Sequence, residues 1–220
     1  MKKYSEILKQ SSLFAGISEE ELFPMLKCLE AGSASYKKNQ FIYHMGDQVE
    51  NLGMVAFGSV SIIQEDFWGN RNIVSKIMPG QLFAETYACT PQVPMKVSVL
   101  TDEPTTVLFF NAGRVLTTCP SSCTFHSRLI RNLVSTMARK NLMMNEKIAH
   151  VTQRSTREKL LSYLSAEAIK KGCSTFEIPF NRQQLADYLS VDRSAMSNEL
   201  GKLRDEGLLE FRKSEFTLLE

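Results

Sequence analysis

The stretch 180–207, FNRQQLADYLSVDRSAMSNELGKLRDEG, contains two short runs in which apolar residues recur at helical spacing. The residues that we assign to the two buried faces are Leu185, Tyr188 and Leu189 in the first run, and Ala195, Met196, Leu200 and Leu203 in the second. Between the runs, Ser190, Val191 and Asp192 form a break of three residues, and Asp192 is placed to cap the second helix. The stretch therefore predicts two helices joined by a tight turn.

The second of these helices carries hydrogen-bonding side chains on its outer N-terminal face: Arg193, Ser194, Ser197 and Asn198. Arginine can bind guanine through two hydrogen bonds, asparagine can do the same to adenine, and serine can reach either base. Arg182, at the start of the first helix, adds a basic group nearby. The alternative interpretation is that these are the solvated faces of an ordinary helical hairpin.

The run that follows, 208–220 or LLEFRKSEFTLLE, alternates apolar and polar residues around Arg212, Lys213 and Ser214. This pattern predicts a two-stranded hairpin with a basic tip, which is the wing of a winged helix-turn-helix. Because such a tip can reach phosphates beside a DNA groove, the hairpin favours a DNA-binding motif over a solvated helical hairpin.

Composition limits what the rest of the chain can be. The 220 residues are 43% hydrophobic and 23% charged, which suits two compact domains rather than a disordered chain. The net charge of +2 predicts a local DNA contact instead of a surface that is basic throughout. No signal-peptide or membrane-span pattern occurs, and the five scattered cysteines fit reduced thiols, so we expect a cytoplasmic protein that is not bound to a membrane.

The first half of the chain changes from helical to strand-like patterns. A capping box at Ser18 and Glu21 predicts a short helix that ends near Glu30. From Ser35 to about Phe110, short apolar runs are separated by Gly and Pro turns, which predicts a sheet closed as a barrel or sandwich.

A long helix is predicted over 121–150, which contains no Gly or Pro. Along this helix, mostly apolar residues recur at alternating intervals of four and three positions. They are Ile130, Val134, Met137, Asn141, Met144, Ile148 and Val151. This is the spacing of a coiled-coil seam and predicts a homodimer interface, whereas packing inside one subunit is the alternative. A further helix is expected over 152–171, closed by Gly172, and then a short strand over 176–180.

The turns of the sheet region carry a resemblance. The series Gly46-Asp47, then 58–60 GSV, then 79–85 PGQLFAE is similar to the cyclic-nucleotide-binding β-roll, and with the winged helix-turn-helix the whole chain resembles the Crp/Fnr family of bacterial transcription regulators. The resemblance implies an α+β fold with three parts. These are an antiparallel, jelly-roll-like β-roll with N-terminal helices (1–117), a dimerisation helix (118–150) and a winged helix-turn-helix (151–220).

The resemblance also implies an effector pocket, whose candidate residues here are Phe83, Ala84, Glu85, Lys96, Met144 and Asn145. Cyclic-nucleotide binders of the family use a Glu on the ribose, which Glu85 matches, and an Arg with a neighbouring hydroxyl on the phosphate. This chain has Lys96 between Met95 and Val97 instead, and lysine lacks the planar fork of arginine. A Thr-Ser pair that contacts the base is replaced by Met144-Asn145. We therefore expect an unidentified effector other than cyclic AMP.

The sequence contains little that indicates a metal site or an enzyme active site. The oxygen-sensing branch of the family holds an iron–sulfur cluster on several N-terminal cysteines, but only Cys28 lies there. Cys119, Cys123 and His126 could share one helical face, yet three ligands are too few for a closed zinc site, so we expect no metal and name no cofactor. A thiol-redox switch at these cysteines is the alternative. No phosphate loop or hydrolase motif occurs, and we expect no catalytic activity.

These features predict a homodimeric, sequence-specific regulator of transcription that binds near-palindromic double-stranded DNA, with RNA polymerase as a further candidate partner. The resembled family commonly has Glu at the position of Ser194 and Arg at that of Asn198, so a different half-site is expected. The rival hypothesis is a ligand- or redox-sensing module that acts through protein partners. The sequence leaves open the target genes and whether their transcription rises or falls.

Overall fold

A computed structural model describes residues 2–65, 67–68, 71–117 and 124–219 of the chain. The chain divides into two compact units, Met1–Ala138 and Arg139–Glu220, and the division falls inside one long helix. None of the described helices combines the length and the apolar character that crossing a bilayer requires.

The chain begins with short helices. A 3₁₀ turn (Lys2–Tyr4), α1 (Ser5–Gln10) and a second 3₁₀ turn (Ser12–Phe14) lead into α2 (Glu19–Cys28). The predicted capping box is confirmed, because Ser18 Oγ accepts from Glu21 N at 3.3 Å and Glu21 Oε2 accepts from Ser18 N at 2.9 Å. Together these bonds satisfy two backbone donors at the helix start and fix where α2 begins.

In the described residues, eight strands form the β-roll: β1 (Gly32–Tyr36), β2 (Phe41–Tyr43), β3 (Asn51–Phe57), β4 (Val60–Glu65), β5 (Arg71–Ile77), β6 (Leu82–Phe83), β7 (Ser98–Thr101) and β8 (Thr105–Asn111). All pairings are antiparallel, in one sheet of order β1-β8-β3-β6 and another of order β2-β7-β4-β5. Residues of both sheets share one apolar core that includes Val55, Val99 and Val107. The expectation of an antiparallel β-roll is confirmed.

Three helices follow or interrupt the roll: α3 (Glu85–Ala88), α4 (Ala112–Leu116) and α5 (Thr124–Val151). The predicted first residues of α5, 121–123, lie outside the described part of the chain. Leu129 and Leu133 of α5 are buried with Leu26 and Leu29 in the core of the first unit. This contact leaves the other faces of α5 available to a partner.

After the last part of α5, the second unit continues with α6 (Thr156–Lys171), which begins four residues after the predicted start. The prediction of Thr152 was wrong because Ser155 and Glu158 form a capping box that starts the helix there; its end at Gly172, with φ +67°, is confirmed. The unit continues through β9 (Thr175–Glu177), α7 (Arg182–Leu189), α8 (Arg193–Asp205), β10 (Leu209–Arg212) and β11 (Glu215–Leu218).

The three strands of the second unit form a sheet of order β10-β11-β9. The hairpin of β10 and β11 was predicted from its alternation, whereas the pairing of β9 with β11 was not. Phe216 on β11 is buried beside Phe176 on β9, in one core with Leu164 of α6, Leu185 of α7 and Leu200 of α8. The wing is therefore part of the same packed body as the two helices of the turn motif.

Candidate nucleic-acid interface

The turn between α7 and α8 is defined by local hydrogen bonds. Helix α7 ends at Leu189, its C-cap Ser190 has φ +53°, and Val191 N donates to Ala186 O at 3.0 Å. Asp192 caps α8, because its Oδ1 accepts from Ala195 N at 2.8 Å. The predicted break of three residues and the predicted cap are both confirmed, and these bonds hold α8 at a set angle to α7.

Helix α8 buries one narrow face, formed by Met196, Leu200 and Leu203. The assignment of Ala195 to this face was wrong, because Ala195 is exposed. Successive helical residues are rotated by roughly 100°, so the residue next to Met196 turns away from a face that three larger side chains already fill. The exposed face of the first two turns consists of Arg193, Ser194, Ala195, Ser197 and Asn198.

The hydroxyl of Ser197 is already engaged, since its Oγ donates to Arg193 O at 2.9 Å. Within the described part of the chain, the side chains of Arg193, Ser194 and Asn198 make no hydrogen bond or ion pair with a protein group. Their donors and acceptors are thus available to an external partner, while Ser197 can only accept a further hydrogen bond without breaking its own.

The tip of the wing is basic and exposed. Arg212 and Lys213 both face solvent at the turn between β10 and β11, and Lys213 has φ +54°. Ser214 Oγ donates to Glu177 Oε1 at 2.7 Å, which ties the turn to β9. The two cations are therefore presented on a braced turn, where they can meet phosphates.

Arg182 has a different environment from the other predicted DNA contacts. Its guanidinium carbon lies 4.8 Å from the ring centroid of Phe211 and 4.9 Å from that of Phe216, and burial lowers its pKa from the ordinary value. Stacking of this kind stabilises the wing against α7. Arg182 remains a predicted DNA contact, but its side chain is half-buried, unlike those of Arg212 and Lys213.

Acidic residues near the motif are paired with cations away from its outer face. Arg157 on α6 contacts Glu199 Oε1 at 3.4 Å and also binds Glu206, while Arg204 Nη2 lies 3.2 Å from Asp205. The negative charges of these carboxylates partly cancel the positive charges of the basic residues in this part of the sequence. These three carboxylates lie at the C-terminal half of α8 or against α6, whereas the carboxylate at the Arg193 end of the helix is that of Asp192, which accepts from Ala195 N.

The predicted effector residues of the roll lie in contrasting environments. Phe83 is 2% exposed, and its ring lies so close to Gly53 that a Cβ added there would be 2.2 Å from Cζ. Ala84, with φ +59°, leads into Glu85, which is 4% exposed at the start of α3. The Lys96 side chain faces solvent, whereas its neighbour Met95 is buried against Phe83 in the core of the roll.

Several residues of the predicted seam on α5 are exposed. Val134, Met144 and Ile148 are 58%, 63% and 51% exposed, and Asn141 and Asn145 are exposed as well. Asn145 Nδ2 donates to Asn141 Oδ1 at 3.1 Å. Ile130 and Met137 are half-buried, and Met137 contacts the core of the first unit. Met137 is thus shared between the predicted seam and the core that contains Leu129 and Leu133, whereas the exposed seam residues are not part of that core.

Two family models match the chain. A cyclic nucleotide-binding domain matches residues 33–121, and a Crp-like helix-turn-helix domain matches residues 158–220. The chain belongs to the Crp/Fnr family of transcription regulators. The family resemblance seen in the sequence is confirmed, and with it the combination of an effector-binding domain and a helix-turn-helix in one regulator.

Solved structures share the fold of this Crp/Fnr regulator at low sequence identity. The catabolite activator protein of Thermus thermophilus is 21% identical, with 96% of this chain and 94% of that chain covered and a TM-score of 0.50. The c-di-GMP-responsive regulator CLP of Xanthomonas campestris is 17% identical, covering 90% and 99%, with a TM-score of 0.57. CprK complexed with OCPA is 12% identical, covering 90% and 89%, with a TM-score of 0.66. No curated protein sequence gave a match.

One histidine is buried in the unit that contains the helix-turn-helix of this Crp/Fnr regulator. His150 is 6% exposed between the rings of Tyr163 and Tyr188, and its Nδ1 lies 2.8 Å from Ser162 Oγ. Burial lowers the pKa of His150, although the charges of Glu146 and Glu167 act in the opposite direction. The unfolded chain therefore binds a proton first as pH falls below the ordinary value of 6.5.

We expect the stability of this regulator to be unaffected by His150 above pH 6.5 and to decrease as pH falls below it, by at most about 1.4 kcal/mol per pH unit for one proton. Urea denaturation between pH 7.5 and 5.5 measures this slope. His150→Gln should flatten it, whereas His44→Gln, at an exposed position, should not. An unchanged slope in His150→Gln would show that other groups cause the pH dependence.

Proposed function

We propose that this chain acts as a homodimer that binds near-palindromic double-stranded DNA, with Arg193, Ser194 and Asn198 on bases and Arg212 and Lys213 on phosphates. The observation that carries the proposal is the outer face of α8, where three side chains able to read bases have no protein partner in the described residues. The basic wing tip belongs to the same compact unit. Ser197 and the half-buried Arg182 are secondary contacts.

The dimer is supported by the exposed apolar residues of α5. Isolated apolar side chains on a surface are common, but Val134, Met144 and Ile148 continue one seam at coiled-coil spacing. Two recognition helices related by a twofold axis would then meet half-sites about 34 Å apart, which is one turn of DNA. A regulator of this kind acts on DNA and on RNA polymerase, and in bacteria both are in the cytoplasm. The same proposal therefore places the protein in the cytoplasm. It assigns the protein no catalytic role.

Regulation would act through α5. This single helix carries core residues of the first unit and continues into the second, so a change in its packing at the roll would change the setting of the DNA-binding units in the dimer. An effector must bind the DNA-competent and incompetent states with different free energies to cause this change.

The proposal is tested by a mobility-shift experiment with the DNA upstream of the protein's own gene. We expect a discrete complex that survives excess random DNA and is competed by the same unlabelled fragment. The complex should also weaken with salt, because phosphate contacts release counterions. Equal competition by random and upstream DNA would favour the rival hypothesis of a module that acts through protein partners.

We expect no response to cyclic AMP or cyclic GMP. A cyclic phosphate carries a full negative charge, and burial of a charge is tolerated only when it is paired and hydrogen-bonded. The only cation at the expected strand position, Lys96, has its side chain in solvent, and the neighbouring position inside the roll is apolar Met95. Isothermal titration with either nucleotide should give no heat and no rise in melting temperature. Micromolar binding would contradict this prediction and restore a nucleotide-binding role for Glu85 and Lys96.

A further inference from the structure

One glycine lies inside α8, the helix that carries the base-reading face proposed above. Gly201 is the ninth of the 13 residues of this helix, and its neighbours Leu200 and Lys202 are helical as well. Glycine is less favourable than alanine inside a helix, because its backbone loses more conformational freedom on folding. Gly201 therefore weakens α8, and its presence there calls for an explanation.

The folded chain gives no reason for glycine at this position. A Cβ added to Gly201 would meet no heavy atom of the described residues within 4 Å, its chain neighbours and its own helix backbone aside. Its φ is not positive, unlike those of Gly172 and Gly207, which follow α6 and α8. In the protein alone, an alanine would therefore fit at position 201.

Helical geometry places Gly201 on the outer face of α8. It follows Asn198, Ser197 and Ser194 by three, four and seven residues, and residues at these intervals share one side of a helix. All three of those side chains are exposed. Gly201 also follows the buried Met196 by five residues, so the two positions are rotated by roughly 140° about the helix axis. It thus lies on the side that faces away from the core.

The spacing of this outer face matches one way in which helices read DNA. Some recognition helices that lie in the major groove contact bases through residues at positions i, i+3, i+4 and i+7. In α8 these positions are Ser194, Ser197, Asn198 and Gly201. A side chain at the fourth position would stand between the helix and the bases, whereas glycine leaves only backbone there.

We propose that Gly201 is the point at which the backbone of α8 comes closest to the base edges in the major groove. This role rests on the DNA binding proposed above. The missing side chain lets the helix lie deeper in the groove, so that the short side chains of Ser194 and Asn198 reach the bases. Atoms added at position 201 would crowd a packed contact, and crowding of this kind is destabilising.

The test compares Gly201→Ala and Gly201→Leu with the wild type by fluorescence anisotropy, on the upstream DNA and on random DNA. The affinity for the upstream DNA should fall at least about fivefold for alanine and further for leucine. Random DNA is held mainly through phosphates, so its affinity should change much less.

Gly32→Ala is the matched control for Gly201→Ala. Gly32 lies in β1 of the first unit, its φ is not positive, and a Cβ added there also meets no heavy atom within 4 Å. The same methyl group is thus added at a position far along the chain from the helix-turn-helix. The affinity of Gly32→Ala for both DNAs should equal that of the wild type.

Hydrogen exchange without DNA, measured by mass spectrometry, separates this role from a structural one. Because alanine favours the helix, Gly201→Ala should slow the exchange of the α8 amides by about three- to fivefold. A more stable helix together with a lower affinity for the upstream DNA is the expected result. A glycine with a merely structural role would give a less stable helix instead.

Three outcomes would overturn the proposal. They are an unchanged affinity of Gly201→Ala for the upstream DNA, an equal loss on upstream and random DNA, and a faster exchange of the α8 amides in this variant. If the wild type itself shows no preference for the upstream DNA, the proposed function fails and this role fails with it. The wild type alone therefore distinguishes the two failures.

Discussion

Substitution of Val134 and Ile148 by glutamate is expected to convert the protein to monomers and to lower its affinity for a near-palindromic site by about 10²–10⁴-fold. Both side chains are more than half exposed in the single chain, so the charges can be placed without disturbing the core. Across a dimer seam, however, like charges would face each other in an apolar contact. The affinity falls because a monomer binds a single half-site, so the second, linked binding event of the dimer is lost.

The matched control is Leu142→Glu with Met143→Glu. These side chains are 63% and 62% exposed on the same helix but lie outside the four-and-three pattern of the seam. Sedimentation measures the mass of each variant, and fluorescence anisotropy with a labelled site measures the affinity. A dimer mass for Val134→Glu with Ile148→Glu, or monomers for the control pair, would show that the seam is not the dimer interface.

The second large effect is expected for Arg193→Ala, which should cost about 1–3 kcal/mol in binding to the specific site and relax the preference at one base pair. Arg193 is exposed at the start of α8 and has no protein partner in the described residues, so its removal leaves the fold intact. The affinity for random DNA should change much less, since random DNA is bound mainly through phosphates.

Lys213→Ala is the comparison for Arg193→Ala. This exposed wing cation should act on phosphates, so its loss should weaken all sequences alike and reduce the slope of log affinity against log salt by about 1. The measurement is a salt series on the specific site, on single-base variants of it and on random DNA. If Arg193→Ala lowers the affinity for specific and random DNA equally, Arg193 does not contact a base.

Features encoded by near neighbours in the chain were predictable from the sequence. The cap at Asp192, the capping box at Ser18, the end of α6 at Gly172 and the alternation of the wing each depend on residues a few positions apart. The spacing of the turns predicted a closed sheet, and the antiparallel roll was implied by the resemblance of those turns to a cyclic-nucleotide-binding domain. Such signals survive without tertiary information because they reflect backbone hydrogen bonds and side-chain periodicity within one element.

Other features depended on which helices and strands pack against one another. The exposure of Ala195, the stacking of Arg182 on two rings of the wing, the pairing of β9 with β11 and the contact of Cys28 with His126 have no periodic signal in the sequence. A helical period limits a residue to one side of a helix but leaves the width of the buried face to its neighbours. The meeting of residues 98 positions apart is decided only when α2 and α5 bury their apolar faces in one core, because that burial depends on the whole unit.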